Sequence, residues 1–164
     1  MPDAIGLRPA EPADEPFLLR VYGSTRAEEL AQTNWSVEEK SAFVQMQFSA
    51  QTQFYQENYE GAEYLIVLCD QRPGGRLYVH RTQEEIRVMD IALLPEFRGK
   101  GIGTLLLNQL FAEGRSSGKS VGIHVEIFNP AVRLYQRLGF RKMADKGVYH
   151  FYQWFPDSQV KQLD

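Results

Sequence analysis

The sequence predicts a mixed α/β fold, a sheet with helices on both faces, and three observations carry that expectation. Residues 62–93 hold three consecutive strand patterns with no helix between them, which excludes a purely alternating doubly wound sheet. Residues 86–127 then run strand, helix, strand, the order of a right-handed parallel crossover. Within the last of these strands Val121, Ile123, Val125 and Ile127 alternate strictly with Gly122, His124 and Glu126. At 164 residues, 43% hydrophobic and 24% charged, the chain suits one soluble domain over 1–164 and is short for two.

Taken in order, Ile5 to Pro9 reads as a short first strand, and Asp14 as the cap of a helix whose Phe17, Leu18, Val21 and Tyr22 share a face. Ser36 followed by Glu39 is a capping box opening a second helix, continued by Val44, Phe48, Tyr55 and Tyr59. Ala62 to Cys69 is an apolar strand, Arg72-Pro-Gly-Gly75 is turn chemistry, and Arg76 to Arg81 is the returning strand of a hairpin. Ile86 to Leu93 forms the next strand. Ile102, Leu105, Leu106, Leu110 and Phe111 mark a helix ending near Gly118, and the alternating strand follows it. Asn129-Pro130 predicts a helix with asparagine as cap and proline in the first turn; Gly139-Phe140 stops it. Lys146 to Phe155 closes the chain as an aromatic strand or hairpin, and segment 148–155 is a candidate edge for a second copy.

Charge narrows the function. The net charge of −3 argues against a nucleic-acid binder. From Arg98 to Lys142, eight Lys or Arg face two acids, a local +6 that leaves −9 for the rest, so a polyanionic ligand suits the C-terminal half and a cationic one the N-terminal half. No apolar run approaches the ~20 residues of a membrane span. The acidic opening Met-Pro-Asp-Ala lacks a signal-peptide pattern, so a cytoplasmic location and no membrane partner are expected. The single Cys69, within an apolar run, reads as a core thiol.

Pro95 to Thr104 carries the most specific local signal, with Gly99, Gly101 and Gly103 at the entry to a helix, where backbone N–H groups and the helix dipole favour a phosphate. Arg98 and Lys100 add full charges. The spacing fails Gly-x-Gly-x-x-Gly, and Lys100 is followed by Gly101 rather than the Ser or Thr of a Walker loop. What fits is Arg98-x-x-Gly101-x-Gly103. One helix and one strand later comes Asn129-Pro-Ala-Val-Arg-Leu-Tyr-Gln-Arg-Leu-Gly-Phe140.

In that order and spacing the two segments resemble the signatures of the GCN5-related N-acetyltransferases (GNAT), specifically over 85–140 and by element order over the rest. The resemblance implies a mostly antiparallel central sheet flanked by helices, with a splayed parallel strand pair at the cofactor site. Residues 85–140 would then be the acyl-CoA-binding core and 1–80 the acceptor-side elements. It implies acetyl-CoA as donor and coenzyme A as product. The backbone of Ile91, Ala92 and Leu93 would pair with the pantetheine amides, and Arg98, Gly99, Lys100, Gly101, Ile102, Gly103 and Thr104 would hold the pyrophosphate. Asn129 would both cap its helix and contact the cofactor, and Tyr135 would be the general acid that protonates the departing thiolate. The implied acceptor is a primary amine, of a small molecule or a peptide N-terminus, attacking directly; a catalytically silent acyl-CoA-binding module is the alternative.

Candidates for the general base are Glu85, Asp90 and Glu126, with His124 as a relay. Glu85 matches a glutamate of ribosomal-protein N-terminal acetyltransferases. Where histone-type members place a glutamate two positions further along, this chain has Arg87, a candidate ion-pair partner for Asp90. Trp35, Phe43, Phe48, Phe54, Tyr55 and Tyr59 either wall an acceptor pocket or pack in the core. The chain is expected as a monomer or homodimer without a metal.

Overall fold

A computed structural model describes residues 4–156; the opening Met-Pro-Asp lies outside them. The elements are β1 (Ile5–Pro9), α1 (Glu15–Ala31), α2 (Val37–Asn58), β2 (Glu63–Cys69), β3 (Arg72–Arg81), β4 (Glu85–Leu93), α3 (Ile102–Ser117), β5 (Ser120–Glu126), α4 (Val132–Arg137), β6 (Arg141–Lys146) and β7 (Tyr149–Trp154). The strands form a seven-stranded mixed sheet in the order β1-β2-β3-β4-β5-β7-β6. β4 and β5 run parallel, as expected for a crossover through α3, while β1/β2, β5/β7 and β6/β7 are antiparallel. The chain divides into two compact units, Met1–Leu77 with Ile91–Lys100, and Tyr78–Asp90 with Gly101–Asp164.

In the first unit β1 pairs with β2 from Ile5↔Cys69 to Pro9↔Leu65. α1 buries Leu18, Val21, Tyr22 and Leu30. Asp14 stands at its cap position but does not cap it: the carboxylate accepts the Glu11 N–H at 2.7 Å and a two-pronged bond from Arg8 at 2.8 Å. A charged acceptor bonded by a guanidinium is a stronger arrangement than a lone cap, so the fork to Arg8 wins. α2 opens as expected, with Ser36 Oγ accepting from Glu39 N–H and Glu39 Oε1 from Ser36 N–H, both at 3.1 Å.

The predicted turn at Arg72-Pro-Gly-Gly75 is not one. The hairpin turns instead on Asp70 and Gln71, both left-handed at φ 50° and 71°, and Arg72–Gly75 belongs to β3. Gly74 and Gly75 are there because a side chain has no room: a Cβ on Gly74 would sit 2.7 Å from Cys69 Sγ, and one on Gly75 would overlap the Ala92 carbonyl. Cys69 is a buried thiol, as expected, its pKa raised by that burial. Arg76 is also buried, its guanidinium 5.7 Å from the Tyr22 ring and donating to Gln51 Oε1 at 2.7 Å.

In the second unit α3 buries Ile102, Leu106, Leu107, Leu110, Phe111 and Gly114, one continuous apolar stripe. Phe111 stacks on Trp154 of β7 at 4.5 Å and meets Phe140 at 5.4 Å; Phe140 in turn meets Tyr135 edge-on at 5.7 Å. Gly114 lets this layer close, since a Cβ there would lie 2.7 Å from the Lys119 carbonyl. α4 begins later than predicted, at Val132 with Ala131 as its cap residue. Asn129 still does a cap's work one turn earlier, its Oδ1 accepting from Ala131 N–H at 2.9 Å. The predicted stop holds: Gly139 is left-handed at φ 104° and Phe140 N–H returns to the Tyr135 carbonyl at 3.0 Å.

The described residues end in a hairpin, and its aromatic strand is not an edge. β7 is bonded on one side to β5 and on the other to β6, so segment 148–155 has no free side for a second copy. Trp154 and Tyr152 are core residues, which is why the aromatic strand lies inside the sheet. β6, charged and interrupted by a bulge between Lys142 and Ala144, takes the edge.

Candidate active site

The β4–β5 ladder runs from Glu85↔Ser120 to Val88↔Ile123 and stops, although β4 continues to Leu93 and β5 to Glu126. From Met89 onward the β5-facing side of β4 thus has backbone groups outside that ladder, the stretch that includes Ile91, Ala92 and Leu93.

The glycine segment after β4 leads into α3. Gly99 is left-handed at φ 72° and Gly101, the cap residue of α3, at φ 80°. The cap carries no side chain, and the first intrahelical bond is Leu105 N–H to the Gly101 carbonyl at 3.0 Å. The N–H groups of Ile102, Gly103 and Thr104 therefore have no partner among the described residues. A Cβ on Gly99 or Gly103 would meet nothing within 4 Å, so a ligand can come close to the loop backbone. Arg98, Gly99, Lys100 and Gly101 are exposed. The Arg98 guanidinium is turned back onto its own unit, donating from Nε to the Leu93 carbonyl at 2.9 Å and from Nη2 to Ser24 Oγ at 3.2 Å. Its work is to fasten the loop to the end of β4 and to α1, a role with no signal in the sequence. Lys100 is a second exposed cation of the loop.

Tyr135 is buried on α4, at 5% exposure. Burial first, and the negative charge of Asp90 second, hold its phenol well above the usual tyrosine range, so it is fully protonated at neutral pH. By strand alternation Asp90 shares a face with Ile86 and Val88, whose side chains are buried. Glu85 and Arg87 occupy the opposite face.

On that opposite face Arg87, a candidate partner for Asp90, is ion-paired to another carboxylate. Arg87 gives its Nε–H to Glu85 Oε1, the ion pair that strand alternation favours. Gly122 makes room for Glu85, whose Oε1 would lie 2.7 Å from a Cβ at that position. Arg87 Nη1 approaches His124 Nδ1 at 3.4 Å, and Lys146 Nζ approaches His124 Nε2 at 3.4 Å. The Phe151 ring underlies the group, 4.8 Å from the Arg87 guanidinium, 5.6 Å from Lys146 Nζ and 4.8 Å from the imidazole. Burial, then the charges of Arg87 and Lys146, lower the His124 pKa. Glu126 is on the same face, opposite Tyr149. Lys146 and Phe151 carried no sequence signal, because only the register of three strands brings them to His124.

Of the six aromatics expected at an acceptor pocket or in the core, only Phe48 is buried. Trp35 and Phe43 meet edge-on at 5.3 Å, and Phe54, Tyr55 and Tyr59 form a second cluster at 6.1–6.5 Å. A cavity of about 430 Å³ in the first unit is lined instead by Leu19, Arg20, Gly23, Ser24, Lys40, Ser41 and Val44. None of the six lines it.

Among the described residues no group of three or more His, Cys, Asp or Glu could hold a metal, and no helix is long and apolar enough to cross a membrane.

No curated protein matches the sequence. The fold has many solved counterparts. It is similar to the PaiA N-acetyltransferase of Thermoplasma acidophilum, solved in complex with coenzyme A, at a TM-score of 0.69 and 18% identity, over 93% of this chain and 99% of that one. An acetyltransferase from Thermus thermophilus matches at 0.65 and 23% identity, over 93% and 98%. RimL, a ribosomal L7/L12 α-N-protein acetyltransferase, matches at 0.62 and 18%, over 93% and 91%. Residues 26–140 match the acetyltransferase (GNAT) family, more than half of the sequence and both glycine-bearing segments, and the chain belongs to that family.

Proposed function

We propose that this protein transfers an acetyl group from acetyl-CoA to a primary amine by direct attack, with coenzyme A as product. The observation that carries the reading is the ladder that ends at Val88↔Ile123 while both strands run on. Strand backbone groups left outside a ladder can pair with an extended ligand. The pantetheine amides would take that role against Ile91, Ala92 and Leu93. The uncapped N–H groups of Ile102, Gly103 and Thr104, the open surface over Gly99 and Gly103, and the exposed Lys100 suit a pyrophosphate. Asn129 is committed to the Ala131 N–H through Oδ1, which leaves its amide nitrogen for the cofactor.

Acetyl-CoA supplies an activated thioester. Attack requires a neutral amine: an α-amine of pKa about 7.7–8.0 is roughly 10–20% free at pH 7, so a peptide N-terminus or a similar small amine needs little help from a base. Glu85 and Asp90 remain the candidates for accepting its proton. Glu85 uses Oε1 on Arg87, while Asp90 stands two residues past Val88, the last residue of β4 paired with β5. β4 backbone N–H groups would stabilise the oxyanion as it forms. Tyr135 donates to the sulfur as the C–S bond breaks. Its raised pKa keeps the phenol protonated, so Tyr135 meets the developing thiolate as a hydrogen-bond donor, and complete transfer to the sulfur is uphill.

A thiol-release assay over a broad amine panel tests the reaction, with calorimetry to measure acetyl-CoA binding. Tyr135→Phe is expected to lower kcat about 100-fold, a typical general-acid contribution, while acetyl-CoA still binds. Full kcat in that variant would remove Tyr135 from the chemistry. Binding without turnover on any amine would favour the silent module.

A further inference from the structure

We propose that Arg87, His124 and Lys146 form a recognition site for an anionic group, a carboxylate or a phosphate, carried by the acceptor amine. The inference rests on the transfer reaction for its acceptor, but the anion site stands on its own geometry. Three pairings build it: Arg87 on β4 is in register with Gly122 of β5, His124 of β5 faces Phe151 of β7, and Lys146 of β6 faces Tyr149.

Donor counting gives the reason. An imidazole that is neutral has one lone pair and one N–H. Both of its nitrogens here are approached by cationic donors at 3.4 Å, Nδ1 by Arg87 and Nε2 by Lys146. One of these contacts therefore sets donor against donor, whichever tautomer is present, and a protonated ring would make both unfavourable. The surplus is not absorbed by the protein. Glu85 takes only the Nε–H of Arg87, and Lys146 makes no ion pair among the described residues. Asp145, beside Lys146 in sequence, is spent on the Gly147 N–H and His150. Glu126, the other acid of this face, is separated from Lys146 by the Tyr149 with which both are in register.

Of the two cations held on this aromatic ring, Arg87 is ion-paired to Glu85 and Lys146 makes no ion pair among the described residues. An anion bridging the Arg87 guanidinium and the Lys146 ammonium would accept the unplaced hydrogens, and Phe151 stacking fixes the guanidinium in advance, which lowers the entropy cost of binding. Glu85, on the same face, would attract the amine of the same molecule. The chemical class is then a short amine bearing an acid, in the manner of an amino acid.

Two measurements test this. In the thiol-release assay β-alanine is compared with its methyl ester, and O-phosphoethanolamine with ethanolamine. At least one acidic member is expected to exceed its neutral counterpart at least tenfold in kcat/KM. Arg87→Gln and Lys146→Gln should each lower the acidic substrate at least tenfold more than the neutral one. Equal use of both members of each pair overturns the anion site and leaves the transfer reaction standing. Independently, the His124 ring nitrogens are followed by NMR as sodium acetate or inorganic phosphate is added. A saturable shift in the wild type that Lys146→Gln weakens supports the site, and which anion gives it separates carboxylate from phosphate. No shift with either anion overturns it. If no amine on the panel is acetylated, the transfer reading fails and the NMR titration still decides the anion site.

Discussion

Helices α2 and α3 show two ways of holding a helix in place. α3 buries six of its sixteen residues, whereas α2 buries one, Phe48, of twenty-two. α3 is a core element whose rotation and height are set by packing against β5 and the Phe111–Trp154–Phe140 layer, so Gly101, which starts it, is held equally firmly. α2 is held by its capping box, by contact with α1 and by rings meeting edge-on at its surface. The lesson is that α3, which carries the proposed pyrophosphate loop, is tied to the stability of its unit, while the face of α2 bearing Met46 and Phe54 can change without touching a core.

The largest expected effect breaks this contrast if it is absent. Leu107→Ala, at a fully buried position, should lower the unfolding free energy by about 2–5 kcal/mol in denaturant titrations. Gly101→Ala places a side chain at φ 80°, and should cost about 1–2 kcal/mol while raising the KM for acetyl-CoA in steady-state assays. Ser36→Ala removes a cap from a helix with little core to hold it and should cost about 1 kcal/mol by thermal or chemical unfolding. Met46→Ala, at 57% exposure, should stay within about 0.5 kcal/mol. Equal losses at Leu107 and Met46 would show that the two helices are anchored alike.

A pH series separates the units in another way. In the first unit the Arg8 fork holds the Asp14 carboxyl at about 2, against an ordinary 3.8. The unfolded chain takes up that proton first as pH falls, so the stabilisation is complete above about pH 4 and is withdrawn between about 4 and 2. In the second unit His124 has a pKa lowered from 6.5, chiefly by burial. Its contribution is complete above 6.5 and is withdrawn as pH falls below that value. Asp14→Asn should flatten the acid end of the stability profile and His124→Gln the region just below 6.5, read from unfolding midpoints across about pH 2–8.

The same difference in burial explains what was legible in the sequence. α3, β5 and the Gly139 stop were readable because an apolar stripe, an alternation and a left-handed glycine each have one structural meaning. The glycines at 74 and 75 were misread because a glycine can serve a turn or a close approach, and only the neighbours, Cys69 and the Ala92 carbonyl, distinguish the two. The true turn, Asp70-Gln71, puts an ordinary glutamine at positive φ. The aromatics of α2 gave helical spacing without saying which face would be covered. The glycine loop followed from local pattern and the cofactor-pairing positions of β4 from the family resemblance, whereas the Arg87–His124–Lys146 group required the register of β4, β5, β7 and β6. The Arg98 contact with Ser24 required a fold that brings together residues 74 apart in sequence.

The bulged, charged β6 and the short β1 ending in Pro9 are the two margins of the sheet. A margin of this kind is a poor template for another strand, since a bulge breaks its repeat, proline lacks a donor, and lysine and arginine repel a like neighbour. The aromatic β7 is sealed one strand inward. Purified protein should therefore tolerate concentration and storage until β6 detaches, and agitation or partial denaturation that frees the β6–β7 hairpin is the route by which it would precipitate.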